Sequence, residues 1–195
     1  MAEDEEAHKS EPGRGAFQTA LFALRFRRFG NRRSLILQFT KRTDGGALLR
    51  CIRADGSTTW QRQDDKYAAF FPLHDLTHYA VETELGFRRG FYGLIAEGWN
   101  IDETTGKSAR GALPNEALEV EYLVSAFSAE RAGGAIASAA EFNQLAATFA
   151  SAKGVPPPRQ LSDEDLARVR ARFGELAMSW RALAPDSTLE LPFEP

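Results

Sequence analysis

The sequence predicts an α+β domain in which an antiparallel sheet of three or four strands is followed by, and packed against, a helical layer. Alternating apolar residues and turn signals are confined to residues 34–62, whereas apolar residues recur at helical spacing from Pro72 onward. Strands and helices thus occupy separate blocks, and a parallel α/β sheet would alternate them. Because 195 residues suit one hydrophobic core, we expect a single domain over residues 16–195.

The N-terminal 15 residues differ in composition from the rest of the chain. Positions 3–6 are all acidic, and the segment has almost no apolar side chain to bury, so we expect residues 1–15 to form a disordered acidic tail. A secretory leader would be basic and then apolar, and no apolar run reaches the roughly 18 residues of a membrane span. We therefore expect a cytoplasmic protein with no membrane partner.

Alternation and turns define the expected strands. Residues 34–40, 47–53 and 58–62 are separated by glycine-containing turns, which predicts an antiparallel meander. Residues 188–191 alternate again and can return as a fourth strand. Pro192 has no amide hydrogen to donate, so this strand belongs at an edge of the sheet.

Five helices are expected after the meander. Capping residues or a first-turn proline predict the N-termini of all of them except the second, and the first two end at Gly86 and Gly98. The expected starts are Pro72, Arg89, Asn115, Ser138 and Ser162.

The first predicted helix holds the one group of side chains in the sequence that suggests catalysis or metal binding. At about 100° per residue, His74 and His78 share one face, and Asp75 and Glu82 lie on a neighbouring stripe. Both sides of this helix are largely apolar, so we expect it to be sandwiched inside the domain with its imidazoles at least partly buried. Buried imidazoles need hydrogen bonds or a metal ion. The main interpretation is a structural or small-ligand-binding network with no assigned catalytic residue.

The first alternative interpretation is a protein that binds a divalent metal such as zinc. Hydrolase activity at that metal is a further hypothesis. Histidines at i and i+4 can chelate one cation, as in the His-Glu-x-x-His metalloproteases. Glu82 lies about 12 Å along a straight helix from His74, so the third ligand must come from elsewhere. Glu97 is favoured because it follows His78 by 19 residues, close to the spacing of the glutamate ligand in thermolysin-like enzymes. Asp75 replaces the catalytic glutamate with a shorter side chain, which argues against hydrolysis. Further candidate ligands are Asp64 and Asp65.

A non-enzymatic binding module on a basic sheet face is the second alternative. Residues 12–53 hold ten Arg and Lys residues against one acidic residue. If one sheet face is open, an aromatic residue and three arginines form a candidate binding patch. Its members are Arg50, Arg53, Trp60 and Arg62. Because no recognisable nucleic-acid module accompanies this charge, we do not expect a nucleic-acid partner.

The segment 71–98 also carries a resemblance. Its pattern Pro-x-His-Asp-Leu-x-His-x-x-Val-Glu, followed by Leu-Gly and Gly-Phe-x-Gly, resembles an uncharacterised bacterial protein family with a Pro-His-Asp-Leu-x-His-Phe-x-Val-Glu element. The preceding strands look similar, so the resemblance covers residues 35–98. In this chain Leu73 separates Pro72 from His74, which departs from that pattern. The resemblance implies a recurring module but no reaction.

Overall fold

The computed structural model describes residues 33–64, 68–106, 108–134 and 136–195. Within these residues, a four-stranded antiparallel sheet is packed against α-helices, which is the predicted α+β architecture. The expected acidic tail over residues 1–15 lies outside the described part of the chain.

The sheet has the order β3-β2-β1-β4, and every neighbouring pair of strands is antiparallel. The predicted meander forms its first three strands. The C-terminal strand returns beside β1 at one edge, where the missing amide hydrogen of Pro192 costs least. The strands are β1 (Leu35–Lys41), β2 (Ala47–Arg53), β3 (Thr58–Gln63) and β4 (Thr188–Phe193).

Five α-helices and one short 3-10 helix, Ile101–Thr105, lie in the described residues. The predicted caps at Ser138 and Ser162 accept backbone N–H bonds, but Pro114 takes the N-cap position that was expected at Asn115. None of these helices is long and apolar enough to cross a bilayer. The helices are α1 (Phe71–Leu85), α2 (Phe91–Ala96), α3 (Asn115–Gly133), α4 (Ala139–Ser151) and α5 (Asp163–Ala182).

Helix α1 lies between the sheet and the helices α3 and α5. On its sheet side, the Tyr79 hydroxyl donates a 2.8 Å hydrogen bond to the backbone oxygen of Pro192 in β4. The helix also packs against α3 and α5. Leu76 and Ala80, which share a face with Tyr79 at helical spacing, are fully buried. The apolar character of both sides of this helix predicted that position. Gly86 ends the helix in the left-handed conformation, with φ of 68°.

Candidate metal centre

Two helices bring three potential metal ligands together. His74 and His78 lie on one face of α1, and Glu121 comes from α3. One ligand atom from each of the three side chains lies within 4.8 Å of the others. His78 is only 2% exposed, whereas the Glu121 side chain is 40% exposed. The cluster therefore extends from the interior towards the surface.

His78 lies between two carboxylates. Its Nδ1 is 3.6 Å from Glu82 Oε1, and its Nε2 is 3.6 Å from Glu121 Oε1. Both distances are longer than a hydrogen bond, and Nδ1 has no hydrogen-bond partner among the described residues. Burial alone lowers the pKa of His78, but the carboxylates of Glu121, Glu82 and Asp75 outweigh burial and raise it above its usual value.

His74 is held by ring contacts rather than by hydrogen bonds. Its ring stacks on Phe70 at a centroid distance of 5.4 Å and meets His78 edge-on at 4.9 Å. The buried Nδ1 atom has no hydrogen-bond partner in the described part of the chain. Burial, together with the positive charges of His78 and Arg131, lowers the pKa of His74 to about 3. At neutral pH the imidazole is uncharged, which is the form that binds metals.

Glu82 is anchored behind His78. Glu82 is 1% exposed, and its carboxylate accepts hydrogen bonds of 3.1–3.2 Å from the backbone N–H groups of Tyr92 and Gly93 at the start of α2. Burial raises the pKa of Glu82, although these bonds and His78 act in the opposite direction. The Gly-Phe-Tyr-Gly segment thus positions a carboxylate, because its backbone passes directly over Glu82.

Asp75 is not part of the cluster. Gln63 of β3 donates a 2.6 Å hydrogen bond from Nε2 to the Asp75 carboxylate, and the hydroxyl of Tyr92 donates to the Asp75 backbone oxygen. Burial raises the pKa of Asp75 to about 7. This side chain therefore links α1 to the sheet.

Glu97 lies in a different environment from the one expected for a third ligand. It follows α2 and forms ion pairs of 3.1 Å with Arg33 and Arg89. Glu97 is the C-cap residue of the six-residue helix α2, so it lies beyond the last turn of that helix, beside these arginines. The carboxylate that lies near His74 and His78 is that of Glu121, whereas the sequence spacing favoured Glu97.

The sequence contains a weak signal for Glu121. This residue follows Val120 and lies four positions after Ala117, both of which belong to the buried stripe of α3. A carboxylate at the border of a buried stripe is a candidate for a site. The same helix contains other glutamates, Glu116 and Glu119, so the sequence alone does not single out Glu121.

The expected basic patch is divided between the two faces of the sheet. Arg50 and Arg53 are three positions apart on one strand, so they point to opposite faces. Arg53 is 8% exposed and donates a 2.7 Å hydrogen bond to the backbone oxygen of Ile95, which fixes β2 to α2. Arg50 and Trp60 are paired in register on the outer face. Arg62 forms ion pairs with two aspartates, which compensate its charge.

The chain matches no protein-family model, and neither a curated protein nor a solved structure is significantly similar to it. The resemblance of residues 35–98 to a bacterial family stays a prediction.

Proposed function

We propose that this protein binds a divalent transition metal of the zinc class through His74, His78 and Glu121. The observation that carries the proposal is the placement of their ligand atoms within 4.8 Å of one another, from two different helices. Two imidazole nitrogens with one carboxylate form a donor set typical of zinc, whereas magnesium and calcium prefer oxygen ligands alone.

The surroundings of His78 support this proposal. Glu121 is near Nε2 and Glu82 is near Nδ1, so a metal on Nε2 would leave the Nδ1 hydrogen directed at Glu82. A carboxylate in that position fixes the orientation of a metal-bound histidine. Zinc bonds of about 2 Å place ligand atoms about 3.3 Å apart, so binding requires the three side chains to draw closer.

Three protein ligands leave one coordination position open, as in catalytic zinc sites. The proposal does not extend to hydrolysis. Asp75, which stands at the sequence position of a metalloprotease base, is hydrogen-bonded to Gln63 instead.

Zinc titration tests the proposal. The full chain, treated with a chelator and then freed of it, is titrated with zinc against a competing metal indicator. Glu121→Gln should weaken zinc binding about tenfold or more, and His78→Ala should weaken it further, because each substitution removes a ligand. Glu97→Gln is the matched control and should leave the affinity unchanged. Equal affinity of wild type and Glu121→Gln, or no binding by wild type, would contradict the proposal.

A metal-free charge network is the second candidate function for the cluster. The two 3.6 Å contacts of His78 with Glu82 and Glu121 favour it, because a protonated imidazole between carboxylates is stabilised without a metal. Thermal unfolding with and without zinc distinguishes the metal site from the metal-free network. A metal site predicts that zinc raises the melting temperature of wild type but not of His78→Ala. A metal-free network predicts no response to zinc in either protein.

A further inference from the structure

A cavity of about 430 Å³ lies among α1, α3 and α5, and none of the three proposed metal ligands lines it. Its volume lies within the range of small-molecule binding pockets. The walls are mostly apolar, with a few polar groups at one side. The apolar lining includes Phe127, Val169 and Phe173, and the polar lining includes Thr77, Glu130, Arg131 and Arg170.

The charges around this cavity do not cancel. Arg170 forms an ion pair with Glu130, so these two side chains neutralise each other. Arg131 donates a 3.0 Å hydrogen bond to Ser128 Oγ, and its guanidinium lies 4.5 Å from the ring centroid of Phe173. No carboxylate among the described residues forms an ion pair with Arg131. The cavity thus combines mostly apolar walls with two arginines and one glutamate, which leaves a net positive charge among its lining residues.

We infer that this cavity binds a monocarboxylate with an apolar body. The carboxylate would pair with Arg131, because a guanidinium can donate two parallel hydrogen bonds to a carboxylate. The apolar body would lie against Phe127, Val169 and Phe173, where its burial is favourable. A single net positive charge suits a monoanion better than a dianionic phosphate. This inference does not rest on metal binding, although the charge of Arg131 also acts on His74.

Octanoate is the probe for this inference. Binding of octanoate to the full chain is measured by calorimetry in a buffer with excess chelator, so that no metal contributes. Arg131→Gln removes the charge but retains hydrogen-bonding capacity, and it should weaken octanoate binding about tenfold or more. Arg181→Gln, an exposed arginine at the end of the same helix layer, is the charge-matched control and should leave binding unchanged. Both variants are checked for wild-type thermal stability.

One neutral and one dianionic analogue of octanoate complete the test. Octan-1-ol should bind weakly and equally to wild type and Arg131→Gln, and octyl phosphate should bind no more tightly than octanoate. Amide NMR shifts on octanoate addition should be largest near Thr77 and Gly134, which line the cavity. The inference is overturned if octanoate does not bind, if Arg131→Gln binds it as tightly as wild type, or if octyl phosphate is preferred.

Discussion

Glu82 and Gly90 approach each other so closely that a Cβ atom at position 90 would lie 2.5 Å from the carboxyl carbon of Glu82. Real Cβ atoms do not approach another atom this closely, so any side chain at position 90 must displace the carboxylate. Glu82 cannot move without cost, because it is buried and bound to the backbone of Tyr92 and Gly93. The absence of a side chain at position 90 therefore keeps the carboxylate beside His78.

We predict that Gly90→Ala destabilises the protein by about 1–3 kcal/mol, because the added methyl group overpacks the buried carboxylate. Urea unfolding monitored by circular dichroism measures this change. Gly174→Ala in α5 is the control, since an added Cβ there meets no atom within 4 Å. It should stabilise the protein by up to about 1 kcal/mol through helix propensity. Similar effects of the two substitutions would show that the close approach to Glu82 is unimportant.

Arg53→Lys should destabilise the protein by about 1–3 kcal/mol, because the ammonium group cannot reproduce the branched set of bonds that the guanidinium makes. That set joins Ile95, Ser57 and Asn100. Arg50→Lys on the outer face of the same strand is the matched control and should change stability by no more than about 0.5 kcal/mol. Equal losses in chemical denaturation would contradict the stabilising role assigned to the hydrogen bonds of Arg53.

Most of the fold could be predicted from the sequence because the patterns that mark its strands and helices involve residues close together along the chain. The alternation of Leu35, Leu37 and Phe39 specifies one buried strand face, and it depends only on the two-residue period of a strand. Pro72 and Gly86 likewise mark the first helix through backbone preferences that need no tertiary contact. The edge position of β4 follows from the missing amide hydrogen of Pro192.

The site could be predicted only in part, because half of it depends on how helices pack. His74 and His78 share a face through helix geometry alone. Which glutamate faces them depends on the rotation of α3 against α1, and no local pattern encodes that rotation. The ion pairs of Glu97 with Arg33 and Arg89 depend on tertiary structure in the same way.

Cys51 should be unreactive in the folded protein. It is fully buried in β2, so a reagent cannot reach its sulfur in the folded protein. Burial also raises the pKa of the thiol, so the reactive thiolate does not form at neutral pH. We expect a thiol reagent such as dithionitrobenzoate to label the native protein only as fast as the chain unfolds, and to label one thiol at once in concentrated urea. The absorbance of the released thionitrobenzoate measures this reaction. Rapid labelling without denaturant would show that β2 opens locally.

As pH increases from about 4 to about 7, the titration of His74, whose pKa is lowered to about 3, should raise the stability of the metal-free protein, and the titration of Asp75 should lower it. The pKa of Asp75 is raised to about 7 in the folded protein, mainly by burial, against about 3.9 in an unfolded chain. Between these values the folded state retains a proton that the unfolded state releases, so the folded state loses free energy relative to the unfolded state as pH increases. Below about pH 4 and above about pH 7, this residue adds no further pH dependence.

Asp75→Asn isolates this effect from the other titrating groups. An amide oxygen can still accept the hydrogen bond from Gln63 but carries no charge at any pH. The difference in free energy of unfolding between variant and wild type should therefore grow in favour of the variant by on the order of 2–4 kcal/mol between pH 4 and 7. Urea unfolding at each pH, with chelator present throughout, measures this difference. Parallel stability curves would mean that Asp75 ionises near its ordinary pKa, and that its burial beside β3 carries no electrostatic cost.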